Sequence, residues 1–478
     1  MPRFRDAYDP GPGYDEMFSA PGVPRDHCRA VVEVLEALSE DDLADRQRRA
    51  SVAFLNLGIT FTVYSEGSGL ERIFPFDLVP RLISAAEWRR VDAGLKQRVV
   101  ALNSFVQDVY NEERIITAGL VPPEAVFGSP NYQPAMRGFT PPGGVWIHIS
   151  GIDLVRDADG TLYVLEDNTR TPSGVSYVVQ NRSISTRTLP SLFSHSGILP
   201  VSDYSNRLHE SVRRCWDQDP VVVLTPGIYN SAYFEHSFLA KQMGVQLVEG
   251  RDLAVQNGRI VTKTTRGRLL VGAIYRRVDD EYLDPLNFNP ASVLGVAGLF
   301  DVYRAGRLCL VNGIGTGIAD DKSLYPYVPE MIRFYLGEEP ILPNVPTFRG
   351  ADAKECEYIL ANMRDLVVKP TNASGGYGVI IGPTSDDRTL AATAAAVAHD
   401  PAGYVAQPLV RLSTCPTVIN ETIVPRRVDL RPFVIFDGHE PWVLSGGLTR
   451  VALAEGSYIV NSSQGGGSKD TWVLSASA

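Results

Sequence analysis

The sequence predicts a mixed fold, α+β with an α/β unit, and three observations predict it. An apolar run, Val221–Thr225, is followed by a Pro-Gly turn, a helical stretch and a second strand at 245–250, the β-α-β pattern of a parallel sheet. Elsewhere short apolar runs flank turn residues, as antiparallel hairpins require. The 478 residues also exceed what one ordinary hydrophobic core supports, so several packed units are expected.

Hydrophobic residues make up 44% and charged residues 21%, ordinary values for a globular chain. A net charge of −10 gives no global attraction to nucleic acid or anionic lipid, and neither is expected as a partner. The five cysteines, Cys28, Cys215, Cys309, Cys356 and Cys415, are far apart and show no CxxC spacing. That argues against a disulfide framework or a zinc site and for buried reduced thiols. The chain does not open on an apolar h-region, and no stretch has the length of a membrane span. A cytoplasmic location is therefore expected.

Residues 1 to about 30 are rich in Pro, Gly and Asp and read as an extended arm. Residues 31–120 read as mostly helical, with Leu95, Val99, Leu102, Val106 and Val109 near a 3.6 spacing. Residues 145–156 and 161–167 flank Asp-Ala-Asp-Gly, a hairpin signal. A helix is expected around 200–216. After the β-α-β stretch, Asn257-Gly258 marks a type I′ hairpin, and 268–278 reads as one further strand at the sheet edge. Beyond the prolines near 340–346, Leu366–Pro370, a Gly-rich turn and Gly378–Pro383 alternate as strand, turn, strand. A helix at about 387–399 and a strand at 404–410 follow, then 428–436 paired with 441–451 across Asp-Gly-His-Glu. The expected units are 1–120, 121–216, 217–320 and 321–478.

Two clusters carry chemistry. Glu166 and Asn168 stand two apart on a strand and so share a face. An even-length hairpin loop puts Asp153 on that face as well, and Leu162 and Val164 are expected along it. Two acids and an amide oxygen are hard ligands suited to Mg²⁺. An acidic strand end facing solvent is the plain alternative, since carboxylates mostly lie on surfaces. The loop that follows, with its hydroxyls, its glycine and Arg170, weighs against it.

The second cluster is cationic. Lys369 ends an apolar strand, where a lysine can point into a cleft as a phosphate-binding charge. Ser374, Gly375, Gly376, Tyr377 and Gly378 follow, a loop whose backbone N–H groups can approach an anion closely. It is neither a Walker loop nor a Rossmann fingerprint. Lys322 sits in an Asp-Asp-Lys-Ser cluster that reads equally as a helix start. Gln407 lies on an apolar strand that could border a flat base. Arg431 and Arg450 lie in strands and call for an anionic or carboxylate partner. His236 reads as a polar residue on or inside a helix.

Together these stretches resemble the ATP-grasp superfamily, with Glu166-x-Asn168 as its metal motif, Lys369 and the glycine loop as its central element and Gln407 at its hinge. The metal motif comes first in the chain, before both lysines. That order resembles the circularly permuted branch, which includes glutathionylspermidine synthase and many bacterial proteins of unassigned function. The resemblance implies a circularly permuted ATP-grasp fold with a pre-ATP-grasp β-α-β domain and an N-terminal helical region. It also implies Lys322 and Lys369 as the ATP lysines and Asp153, Glu166 and Asn168 as holders of magnesium. One departure stands out: Gly151 occupies the position, two before the metal Asp, where glutathionylspermidine synthase has an arginine. Arg170, Arg276 or Arg277 could substitute, and Arg170, Arg277, Arg431 and Arg450 are the catalytic candidates.

The resemblance implies an ADP-forming carboxylate–amine ligase that uses ATP and Mg²⁺ and passes through an acyl phosphate. Its substrates would be small molecules or peptides. The acceptor is expected where parallel strands end, near Thr225, Pro226, Gly227, Asn230 and Arg276–Arg277. A small-molecule kinase and a non-catalytic nucleotide-binding module are the competing readings. The first would release a stable phosphorylated product; the second would have lost metal or phosphate ligands.

Overall fold

Distant parts of the chain meet in one nine-stranded sheet. The structure, a computed structural model, describes residues 8–65, 68–193, 197–216, 219–372, 378–420, 422–461 and 465–476. The sheet runs Trp442–Val443, Phe433–Ile435, Ile149–Arg156, Thr422–Arg431, Leu448–Val451, Gly467–Val473, Phe76–Ile83. Leu162–Asn168 pairs with Ile149–Arg156 off this path, and Thr414–Ile419 pairs with Thr422–Arg431. Its pairings are antiparallel except that of Gly467–Val473 with Phe76–Ile83.

Helices cover both faces. On one, Trp88, Val91, Leu95 and Val99 of the helix Ala85–Tyr110 pack with Ile152, Leu154, Val164 and Leu430. Ser84 caps that helix by accepting a hydrogen bond from the Glu87 amide. On the other face, Val175, Tyr177, Val178 and Ile184 of Val175–Thr188 join the cluster that holds Phe433, Leu448 and Trp472.

The β-α-β unit forms as read. Val221–Leu224, the helix Tyr233–Met243 and Gln246–Val248 belong to a four-stranded parallel sheet completed by Ala273–Arg276 and Cys309–Val311. Asn257 and Gly258 both have positive φ, as a type I′ turn requires. A separate antiparallel sheet of four strands contains Phe348–Arg349, Tyr404–Pro408, Leu366–Pro370 and Ile380–Ile381. Ile359, Leu390 and Val397 from two helices pack against it.

Four expectations change. Residues 60–83 are not helical: Thr60–Ser65 and Ser68–Ile73 form a hairpin, and Phe76–Ile83 is a buried sheet strand. The strand hides because it carries charges, which the fold neutralises: Arg81 pairs with Glu16 at 2.6 Å, and Asp77 with Lys469. The N-terminal arm is also part of the core, since Glu16 bonds Arg81, Arg156 and Ser413 while only 3% exposed. The stretch 268–278 is two strands in two sheets, Gly267–Val271 and Ala273–Arg276. They divide at Gly272, where a Cβ would lie 2.0 Å from the Trp216 ring. Finally, Ala273–Arg276 sits inside its sheet, between Val221–Leu224 and Cys309–Val311, and not at the edge.

Candidate functional site

The hairpin Ile149–Arg156/Leu162–Asn168 sets one wall of a cleft. Asp153 stands directly opposite Glu166, and Gly151 opposite Asn168. A bulge at Leu165 makes this register, because Leu154 pairs with Val164 rather than with Leu165. Strict alternation would keep Leu162 and Val164 on the Glu166 face. The bulge instead turns both into the core beside Leu154 and delivers Glu166 to the cleft. Behind Glu166, Asp167 points the other way and makes a two-point pair with Arg98 at 2.6 and 2.7 Å. The helix Ala85–Tyr110 thereby clamps the acid-bearing strand from its back.

The opposite wall is the four-stranded antiparallel sheet. Lys369 of Leu366–Pro370 and Gln407 of Tyr404–Pro408 face into the same space as Asp153, Glu166 and Lys322. The cleft offers about 980 Å³ of space that opens to solvent and also presents apolar groups, among them Val367, Ile381, Leu409, Val410, Ile459 and Val460. An apolar pocket beside a charged end is the make-up of a small-molecule site.

The charges are arranged in two sets. Asp153 is fully buried, and its oxygens accept from Arg431 (2.5 and 2.8 Å) and from Arg450 (2.6 Å). Burial alone would raise its carboxyl; the Arg431 and Arg450 guanidiniums overcome it and hold the group well below the usual carboxylate range. Arg450 is shared with Asp429, whose carboxyl burial pushes up against that pairing. Glu166 is about a third exposed, 4.0 Å from Lys322 and 3.9 Å from Arg431. Lys369 is buried and donates to the Gln407 side-chain oxygen at 2.5 Å. Burial lowers its ammonium to about 8, with Glu166 opposing the fall and Lys322 adding to it.

Of the expected residues, the fold brings Asp153, Glu166, Lys322, Lys369, Gln407, Arg431 and Arg450 to this one place. Asn168 shares the strand face; its side-chain nitrogen is buried and lacks a hydrogen-bond partner. Gly378 adopts φ +70° and lies tight against Pro370, while Ser374, Gly375, Gly376 and Tyr377 fall outside the described residues. Two candidates stand elsewhere. Arg170 pairs with Asp320 at 3.0 Å. Arg277 is bonded to the Pro172 carbonyl, the Tyr275 hydroxyl and Glu235. Arg276 is likewise occupied, by the carbonyls of Asn312, Val278 and Gly313. The expected acceptor region does not line the cleft either, and Thr225 is hydrogen-bonded to the buried His236 at 2.9 Å.

Sequence reasoning passed over Asp429 and the apolar run Ile459–Val460. Asp429 was within reach, since period two in Val-Asp-Leu-Arg places it on the face of Arg431. Ile459 and Val460 belong to a segment without regular structure, so periodicity could not place them.

Gly151 has a visible consequence. A Cβ there would lie 3.2 Å from Arg431 Cδ and 3.2 Å from Pro172 Cβ. The bare glycine lets the Arg431 stem cross the hairpin, so a guanidinium from the neighbouring strand Thr422–Arg431 reaches the acids.

Comparison with known proteins agrees with this geometry. The profile of circularly permuted ATP-grasp type 2 proteins matches residues 80–452. An uncharacterised Synechocystis protein is 50% identical over 475 residues, covering 98% of this chain and 99% of its own. A Frankia alni protein provisionally named a glutamate–cysteine ligase is 42% identical over 99% of this chain, which spans 55% of that longer protein. The fold is similar to that of a glutathione synthetase-like effector of Globodera pallida, with a TM-score of 0.60 at 11% identity over 91% of this chain and 98% of the effector. The chain belongs to the circularly permuted ATP-grasp type 2 family and has its mixed α/β fold.

Proposed function

We propose that the cleft binds Mg-ATP and that the chain is an ADP-forming carboxylate–amine ligase. The observation that carries this reading is the meeting of Glu166 and Asp153 with Lys322 and Lys369 across one cleft that also has an apolar pocket. ATP-grasp membership and a relative named as a ligase support the ligase class.

The donor set fits magnesium. Asp153 already accepts three hydrogen bonds, leaving about one of its roughly four lone-pair sites. Glu166 carries the open carboxylate, and Asn168 adds an amide whose oxygen and nitrogen can exchange places by a flip. Mg²⁺ is commonly held by one or two carboxylates together with phosphates and water. When bound, it would neutralise phosphate charge.

The chain's own residues do the rest. Lys322 and Lys369 pair with phosphate oxygens, and phosphate recharges a Lys369 that burial has weakened. Arg431, held beside Glu166, supplies the cation that Gly151 does not. The apolar wall of Val367, Ile381 and Leu409 holds the base. A carboxylate placed in line takes the terminal phosphoryl group, and an amine then displaces phosphate from the acyl phosphate. On this reading the expected unit 121–216 supplies the acid hairpin and 321–478 the lysine-bearing lobe, while 1–120 contributes the helix Ala85–Tyr110 that backs the hairpin and 217–320 the parallel sheet.

The test is ADP release with pooled amino acids, short peptides and polyamines, followed by mass spectrometry. Coupled product with stoichiometric ADP supports the ligase. A stable phosphorylated compound without coupling would make the chain a kinase. ATP binding without turnover in every pool would make it a binding module.

A further inference from the structure

The cysteine spacing argues against a metal centre, yet the fold gathers two cysteines against a histidine. His148 precedes the strand Ile149–Arg156, Cys215 ends the helix Tyr204–Cys215, and Cys309 opens the strand Cys309–Val311. Their ligand-capable atoms all lie within 4.8 Å of one another. Cys215 Sγ is 3.7 Å from each ring nitrogen of His148. His148 and Cys309 are 1% exposed, whereas Cys215 is partly open. None of the three lines the cleft.

We propose that His148, Cys215 and Cys309 form a binding site for a borderline-soft divalent cation of the zinc class, separate from the cleft. Two sulfurs and an imidazole are the ligands such ions select over hard cations. Metal–sulfur and metal–nitrogen bonds of about 2.3 and 2.0 Å in a tetrahedron hold ligand atoms roughly 3.5–3.8 Å apart. The 3.7 Å contacts already have that scale. The three ligands leave a fourth position, and the exposure of Cys215 gives it an entrance.

The backbone holds these positions from three directions. The His148 amide donates to Asn312 Oδ1 at 2.8 Å, and its carbonyl accepts from Phe436 at 2.8 Å. The Cys309 amide donates to the Gly272 carbonyl at 2.9 Å. A site fixed by its surroundings loses little entropy on closing around an ion. A bound ion would cross-link the central sheet, the parallel sheet and the helix Tyr204–Cys215.

The test uses Co²⁺ as the probe on the full chain, reduced, stripped with chelator and kept anaerobic. Expected are stoichiometric uptake, a thiolate-to-cobalt charge-transfer band with intense four-coordinate visible bands, and displacement by Zn²⁺ with a raised melting temperature. Cys215→Ser, at a partly exposed position that tolerates the change, should keep native circular dichroism. It should lose much of the band's intensity and weaken cobalt affinity by roughly 100-fold or more. Cys356→Ser should bind as the parent does. Lack of a charge-transfer band in the parent, or an unchanged band in Cys215→Ser, would overturn the proposal. So would peptide mapping that finds a Cys215–Cys309 disulfide together with no cobalt uptake after reduction.

Discussion

Lys369 donates to the side-chain oxygen of Gln407 at 2.5 Å, and Gln407 donates in turn to Thr347 at 2.9 Å. Among the described residues the ammonium is thus held in a buried place by one neutral partner, with Glu166, Lys322 and Asp153 as its charged neighbours. A buried cation so arranged costs stability and gains most from an anion.

Lys369→Met should therefore bind ATP at least tenfold more weakly by calorimetry and yet be more stable, by about 1–2 kcal/mol near neutral pH. Burial pushes Lys369 down to about 8 when folded, from an ordinary 10.5, so the folded chain binds fewer protons between those limits. Its contribution to stability is lowest below pH 8 and rises as pH climbs toward 10.5. Melting in that window should show the rise in the parent and lack it in Lys369→Met. ATP affinity of the parent should fall above pH 8, by up to about tenfold per unit.

Glu166→Gln keeps size and removes the open carboxylate. ADP release should drop about 100-fold or more, with the melting temperature within about 2 °C of the parent because the group is a third exposed. Parent-level ADP release would remove Glu166 from the metal set.

Gly151→Ala places a methyl 3.2 Å from the Arg431 stem. Arg431 must shift away from Asp153, so turnover should fall while the affinity for ATP changes little. Steady-state kinetics at saturating ATP checks this. Full activity would mean that Arg431 adjusts freely.

Arg98→Ala should cost about 3–5 kcal/mol, since it strands the buried Asp167 carboxylate. Denaturant unfolding measures it. Arg98→Ala with Asp167→Asn should recover much of the loss, because no charge is then left unpaired.

How much of this was legible depends on the kind of signal. The Asn257-Gly258 turn and the helix over Leu95, Val99 and Leu102 are local, and the sequence alone places them. Glu166 and Asn168, two apart on one strand, are nearly local and are also readable; Asp153 joins them because the bulge at Leu165 offsets an odd loop, 157–161, where an even one was expected. What escaped needs partners from far along the chain. The strand Phe76–Ile83 carries Asp77 and Arg81, which look like surface charges until Lys469 and Glu16 arrive. The Leu165 bulge is invisible to a period-two rule, although it decides which side chains enter the cleft. Arg170 and Arg277 have the right chemistry for a cleft, but Asp320 and Glu235 had already claimed them.

The parallel pairing of Phe76–Ile83 with Gly467–Val473 has a consequence for biogenesis. Some 390 residues separate the partners Ser468 and Phe76, so loop closure must wait for nearly the whole sequence. On the ribosome, Phe76–Ile83, mostly apolar but carrying Asp77 and Arg81, would emerge unpaired and stay so until its distant neighbour is synthesised. Chaperone demand during translation, rather than final stability, should then govern the yield of active protein.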